Sequence, residues 1–460
     1  MKNIMGFAPN LRLPDRKVFG ELLKTGLPIF AELLLVSLFI MADMALLKPC
    51  GTVAIAAVGL TAEPVNLIEF AFFALQTAVI ASTSGSFAKN ETSNIGRIFI
   101  AYLKLCISAI VVISVLAGIF AESFLRLFGA MEDTLPIAVP YLRITLAALI
   151  FRRVYGAITA VLKSIGNPQW SFLLNLLANA LNIVFDALLI YGIGPFPALG
   201  PIGAAVGTAL ACIVGLICSV FIARKKLRQI DIKLTVRDWL SSSWGEVKKI
   251  CTDTAPMLGE KIMIRVGMFL SVQKIALLGA AQFATHRILI SLQYFSFLSA
   301  EAISTTILIF TSQAFAKRDR EEAQRYFSAA LYCGIGLAIF FGCVYFFGSS
   351  ALMGLYSEDA RVIGMGTQTL KMIVVFQPFQ AVALIYAGAM RSCGYARIPS
   401  VVTSIGIVVI RPALVYLLTP YLGVYGAWLA ISCDEIFRMI VLLTQRRLMW
   451  LKYDAVSISM

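Results

Sequence analysis

Residues 26–32 read GLPIFAE, and 228 residues further on, residues 254–260 read TAPMLGE. Laid over each other, Pro28 falls on Pro256 and Glu32 on Glu260. The same offset carries Gly51 onto Gly279, Ala56 onto Ala284, and the FAK of Phe87–Lys89 onto the FAK of Phe315–Lys317. It also carries the KSIG of Lys163–Gly166 onto the RSCG of Arg391–Gly394. After a five-residue deletion, LGPIGAA (Leu199–Ala205) meets LGVYGAW (Leu422–Trp428). Each match alone is weak. One offset holding from residue 26 to residue 166 makes the chain a tandem repeat, the weak internal symmetry typical of transporters.

What repeats is membrane-spanning. Only 14% of the 460 residues are charged, against roughly 25% in an ordinary soluble protein. Apolar stretches long enough to cross a bilayer recur from Leu27 to Leu443. They predict twelve spans: 26–48, 52–86, 97–121, 136–163, 169–192, 202–224, 252–278, 280–314, 325–348, 361–390, 397–419 and 424–446. Six spans per half send both halves into the membrane in the same direction. The expected fold is therefore all-α and integral to the membrane, with twelve transmembrane helices in two six-helix lobes related by a parallel repeat. Residues 1–223 would form the N-lobe (spans 1–6), 224–250 a basic cytoplasmic connector, and 251–460 the C-lobe (spans 7–12).

The formal charge of +14 is distributed by side rather than clustered for nucleic acid. Lys2, Arg12, Arg16, Lys17 and Lys24 precede span 1. Lys89, Arg97, Lys163, the run from Arg224 to Lys249, Lys317, Arg318, Arg320, Arg391, Arg397, Arg446, Arg447 and Lys452 fall on the same side. The opposite loops hold chiefly Lys48, Arg126, Lys274 and Arg361. The positive-inside rule then places both termini in the cytoplasm. No nucleic-acid partner is expected. The first 25 residues lack a signal-peptide core, so span 1 is expected to act as its own insertion signal. Nine scattered cysteines and a single histidine argue against a structural metal, a disulfide framework or a bound cofactor. With no HExxH and no GxSxG, catalysis is not expected.

Several stretches together resemble the multidrug and toxic compound extrusion (MATE) family, nearly end to end. They are LPIFAELLLVSLFIMADMALL in span 1, AVLKSIGNPQ closing span 4, and NALNIVFDALLIYGIGPFPALGPIGAAVGTAL through spans 5 and 6. FQPFQAVALIYAGAMRSCGYAR and LGVYGAWLAISCDEIFRMIVLL match the family's tenth to twelfth spans. The resemblance implies an antiporter, working as a monomer in the cell membrane, that expels small organic compounds against an inward flow of H⁺ or Na⁺. In one branch of the family the ion binds between an Asp of span 1 and an Asn/Asp pair of span 5. These positions are Asp43, Asn182 and Asp186 here, with Thr208 of span 6 as a supporting hydroxyl. Another branch adds an Asp in span 10, where this chain has Gln380.

The residues themselves lead to the same carboxylates. In LLNLLANALNIVFDALLIYG (Leu173–Gly192), Asn175, Asn179, Asn182 and Asp186 are spaced 4, 3 and 4 apart, so they share one helix face. Counted from the cytoplasmic end, Asp43 lies about 16 residues, or roughly 24 Å, along span 1, and Asp186 lies about equally deep in span 5. A charged Asp inside a bilayer costs about 2.5–3.5 kcal/mol on insertion scales, so both should face a protein interior. One proton, or one Na⁺ held by carboxylate, amide and hydroxyl oxygens, would relieve their repulsion. Asn175 and Asn179 suit packing between helices, and Asn179 also stands beside the ion-coupling set.

Other buried charges are candidates for cavity or solute contacts. Glu32 is three turns before Asp43 and could relay protons to the cytoplasm, though its twin Glu260 points to a shared structural role. Arg152 and Arg153 interrupt span 4. Lys261, Arg265, His286, Arg287, Lys371 and Arg411 give the C-half more buried cations than acids. The forks of Arg265 or Arg411 suit a carboxylate, which favours anionic or zwitterionic solutes. Asp434 and Glu435 could pair with Arg438 one turn on, and Glu63, Glu69 and Glu301 have no assigned role. His286 reads as interfacial, near the outer end of span 8. Pro28, Pro64, Pro256, Pro378 and Pro412 permit bends. The alternatives to a general exporter are an exporter of organic anions specifically, or a lipid-linked oligosaccharide flippase.

Overall fold

The computed structural model describes residues 15–127, 130, 132–230, 244–446 and 450. Lys2, Arg12, Arg447, Lys452 and the middle of the connector (231–243) lie outside the described residues, as does the side chain of Glu63. Twelve long helices account for the spans. Spans 1–6 are Arg16–Leu46, Thr52–Ala88, Thr92–Ile119, Leu135–Ser164, Pro168–Tyr191 and Pro201–Arg228. Span 7 is Trp244–Ala276, span 8 Ala280–Lys317 and span 9 Arg320–Gly354. Span 10 runs from Ala360 to Ser392, span 11 from Arg397 to Leu422 and span 12 from Val424 to Thr444. Spans 1 and 7 begin about two turns earlier than hydropathy indicates, because charged residues extend both helices beyond their apolar stretches.

Ten of these helices carry stretches long and apolar enough to cross a membrane. Spans 7 and 12 are the exceptions because they hold charge along their length: Glu260, Lys261 and Arg265 in one, Asp434, Glu435 and Arg438 in the other. The three charged residues of span 12 are all buried, so that charge is turned into protein and away from lipid.

The repeat is written into the backbone. Asn90 and Arg318, 228 residues apart, are the two non-glycine residues with positive φ among the described residues, at 58° and 60°. Gly51 and Gly279 have φ of 89° and 99°, and Gly166 and Gly394 have 77° and 79°. Gly200 and Gly423, related by the shortened offset, have 56° and 57°. The turns between spans are therefore the same turns in both halves. The nine-residue connection Gly192–Gly200 is reduced to Gly423 alone in the second half, five residues by deletion and three because span 11 runs on to Leu422.

The chain folds into two compact units, one of residues Ala31–Thr252 and the other of Met1–Phe30 with Asp253–Met460. The first turns of span 1 are grouped with spans 7–12, and the first turns of span 7 with spans 2–6. Leu22 is buried in the cluster around Phe327 and Tyr386, Glu21 accepts a hydrogen bond from the Tyr326 hydroxyl, and Gly26 faces Thr306.

Within the first unit, span 6 packs closely on spans 4 and 5. Two glycines one turn apart make this contact. A Cβ on Gly203 would sit 2.6 Å from the Leu189 carbonyl, and one on Gly207 would run into the Asp186 carboxylate. This small-xxx-small pattern lets the two backbones touch. In the second unit, span 8 packs on spans 9 and 10, and span 11 on span 12. Spans 10 and 11 are broken ahead of their prolines. A 3₁₀ turn at Val374–Phe376 precedes Pro378, and a π segment at Gly406–Ile410 precedes Pro412. The missing proline N–H explains both irregularities.

Candidate functional site

Spans 5 and 6 bring Asn182, Asp186 and Thr208 together. Asp186 and Asn182 are 1% and 7% exposed. The Asn182 amide donates to Asp186 Oδ1 at 2.9 Å and to the Thr208 hydroxyl at 3.2 Å. That hydroxyl in turn donates to the Ala204 carbonyl at 2.9 Å. Gly207 makes the arrangement possible, because span 6 reaches the Asp186 carboxylate only where it has no side chain.

Asp43 faces this group from span 1. It lies in electrostatic range of Asp186, and both acids lie in range of the half-buried Tyr141 of span 4, a residue that the sequence did not single out. One carboxylate oxygen of Asp43, Oδ1, is buried with no hydrogen-bond partner among the described residues. The C-terminal end of span 1 is fixed by Leu47, buried against Val58, Ile190 and Ala204, and by the Tyr191 hydroxyl, which donates to the Leu46 carbonyl at 2.7 Å. Asp43 lies in the last turn of its helix and Asp186 within the last two turns of span 5. Both sit toward the C-terminal ends of their helices, at similar distances from those ends.

The remaining asparagines belong to a different cluster. Asn175 donates to Glu32 Oε1 at 3.0 Å, and Asn179 donates to the Asn175 carbonyl at 2.7 Å. Glu32 also accepts from Lys163 Nζ at 2.7 Å and from Ser171 Oγ at 3.0 Å. Its repeat twin is built alike: Glu260 accepts from Arg391 at 2.8 and 2.9 Å and from Ser400 Oγ at 2.8 Å. Each acid and its basic partner are 131 residues apart in both halves. Two buried ion pairs at one repeat position mark Glu32 and Glu260 as anchors of spans 1 and 7. The equal spacing was the available signal for them.

Two arginines of the C-terminal spans share one acid, while Arg287 and Lys371, expected to be buried, are exposed. The Arg411 fork, which sequence reading offered to a solute, is taken by Asp434 at 2.7 and 3.1 Å, and Arg438 reaches the same carboxylate at 3.1 Å. Gln380 donates to Glu435 Oε1 at 2.7 Å. Lys371 lies over the Phe346 ring. Arg265 of span 7 is half-buried. His286, expected at the membrane interface, is instead buried, with its ring 5.7 Å from that of Trp428. In span 4 the balance differs. Glu69 alone faces both Arg153, with which it is hydrogen-bonded, and Arg152 at 3.6 Å.

A helical, multi-pass membrane protein with an internal repeat and a buried acid–amide cluster is in the class of secondary transporters. The MatE family model matches the chain twice, over residues 28–188 and 256–417, and the second match begins 228 residues after the first. The chain belongs to this family of multidrug and toxic compound extrusion transporters. It is 26% identical over 450 residues to the uncharacterized transporter YisQ of Bacillus subtilis, covering 96% of this chain and 97% of that one. It is 25% identical to a probable multidrug resistance protein NorM of Thermotoga maritima, covering 94% and 92%. In fold it matches an outward-facing multidrug resistance MATE family transporter of the MOP superfamily with a TM-score of 0.85, at 20% identity over 96% and 98% of the two chains.

Proposed function

We propose that the chain is a secondary antiporter that exports small organic compounds by alternating access, driven by inward flow of H⁺ or Na⁺. It works as a monomer in the cell membrane, with both termini cytoplasmic, and carries out no enzymatic step. The lobes 1–223 and 251–460, joined by the connector 224–250, are its moving parts. Asp43, Asn182, Asp186 and Thr208 form the coupling site, and Asn179, bonded to Asn175, belongs to the Glu32 cluster.

The observation that carries this reading is the unpartnered Asp43 oxygen, buried in electrostatic range of Asp186. A buried Asp186 with an amide partner, beside a half-buried Asp43 with a bare oxygen and only Arg152 of span 4 as a cation in electrostatic range, invites a proton or a monovalent cation. Binding changes what Asn182 can donate to and accept from, which gives the ion different affinities for two conformations. The test is transport in proteoliposomes under an imposed pH or Na⁺ gradient. Asp43→Asn and Asp186→Asn are each expected to abolish coupling while leaving an assembled protein. Full coupling in either variant removes the site.

A second reading, export of organic anions, draws on the two guanidinium groups that face a single carboxylate at Glu69. Arg152 is the less engaged of the two and the more exposed, so it has a charge to spare for a solute. Uptake of an organic acid against a cationic dye in the same vesicles separates the readings. Transport of the dye alone ends the second.

A further inference from the structure

The C-terminal spans bury an acid that no cation claims. Asp434 and Glu435 are neighbours on span 12, 0% and 2% exposed. Two arginines lie nearby, and both are hydrogen-bonded to Asp434. Glu435 is left with neutral amides. Gln380 of span 10 donates to it at 2.7 Å, and Gln293 of span 8 lies against it.

Helical spacing extends the cluster along the same faces. Trp428 is two turns before Glu435, His286 two turns before Gln293, and Gln377 one turn before Gln380. Both ring nitrogens of His286, Nε1 of Trp428 and Nε2 of Gln377 are buried without a partner among the described residues. Buried polar atoms in proteins are nearly always paired, so these four, strung along the faces that lead over about 10 Å to Glu435, mark a polar track whose partners lie beyond the fixed side chains. The charged groups that face Glu435 are Arg438 and Arg411, of opposite sign, and Asp434, of like sign. His286 itself faces Arg287 and Arg411.

We propose that Glu435 is an exchangeable proton site of the C-terminal spans, with Gln380 as the partner that follows its charge. When ionised, the carboxylate accepts from Gln380 Nε2, as in the observed geometry. When protonated, its O–H donates to Gln380 Oε1 after the amide turns over, since an amide offers both a donor and an acceptor. The proton comes from and returns to solvent, and the electron pair stays on the carboxylate oxygen. Asp434 is held by two charge-assisted arginine contacts, so one acid of the adjacent pair is tied to cations and the other to amides.

The test is infrared difference spectroscopy of the purified full-length protein during acidification, with no gradient present. A protonated-carboxyl stretching band is expected that is lost in Glu435→Gln and retained in the Asp43→Asn/Asp186→Asn double variant. Glu435→Asp, which keeps the acid should the amide variant fail to fold, is expected to shift the band. Gln380→Leu is also expected to shift it by removing the amide partner. A band indifferent to substitution of Glu435 overturns the assignment. So does a band that Na⁺ abolishes at constant pH, since the occupant would then be the metal ion. Because the measurement needs no transport, its failure leaves the antiport reading standing, and failure of the vesicle assay leaves this one.

Discussion

Gly207 decides at the residue scale whether Asp186 can occupy its place. A methyl group there meets the carboxylate and the backbone of span 5 together, and neither can swing aside. Gly207→Ala is therefore expected to cost about 1–3 kcal/mol of stability through overpacking. It should also lower ion-coupled transport toward the level of Asp186→Asn. Gly118→Ala, with open space around it, is the control and should change neither. Thr208→Val removes one hydroxyl that accepts from Asn182, worth about 0.5–1.5 kcal/mol net. Coupling in that variant should weaken without vanishing, as read from the ion concentration needed for half-maximal exchange. Asn182 and Asp186 were legible as a pair because four residues of helix bring them together. Tyr141 was not, since its proximity depends on how span 4 packs and no local period reports it. The partners of Arg411 and Gln380 were hidden for the same reason.

At the scale of the element, spans 1 and 7 are tied to their units by side chains more than by close backbone approach. The Glu32–Lys163 and Glu260–Arg391 pairs are the strongest of these ties. Removing one member of a buried pair strands the other, at a cost of about 3–5 kcal/mol, whereas replacing both by apolar groups of similar size is often neutral. Glu32→Gln should therefore lower the melting temperature in detergent well below that of Glu32→Gln/Lys163→Met. Glu260→Gln and Glu260→Gln/Arg391→Met should repeat the pattern. If the single and double variants melt together in both halves, the anchoring role is wrong. The sequence held this information in the shared spacing of 131 residues. What it did not hold was Asn175 joining the Glu32 cluster, because a polar stripe on one face gives no sign of where one cluster ends and the next begins.

For the whole molecule, the repeat preserves turns and anchors while the chemistry diverges. Asp43 has Ser271 as its counterpart, a buried hydroxyl that merely donates to the Gly267 carbonyl at 2.8 Å. The C-terminal spans place their unclaimed acid on span 12 instead. Divergence of this kind makes orientation consequential. Asp43 and Asp186 lie only about 5–8 Å along their helices from the ends that the charge pattern assigns to the outside. An ion arriving from outside would meet them after a short path, as inward-driven antiport requires. On that side Arg126 is paired with both Glu122 and Glu132 at 2.9 and 2.6 Å, so the outer face gains little net positive charge from it. In a background lacking the nine native cysteines, Asp133→Cys should react with a membrane-impermeant maleimide in intact cells. Lys89→Cys, at the opposite end of the bundle, should react only after lysis. The reverse pattern would put the carboxylates next to the cytoplasm and overturn the placement of both termini on that side.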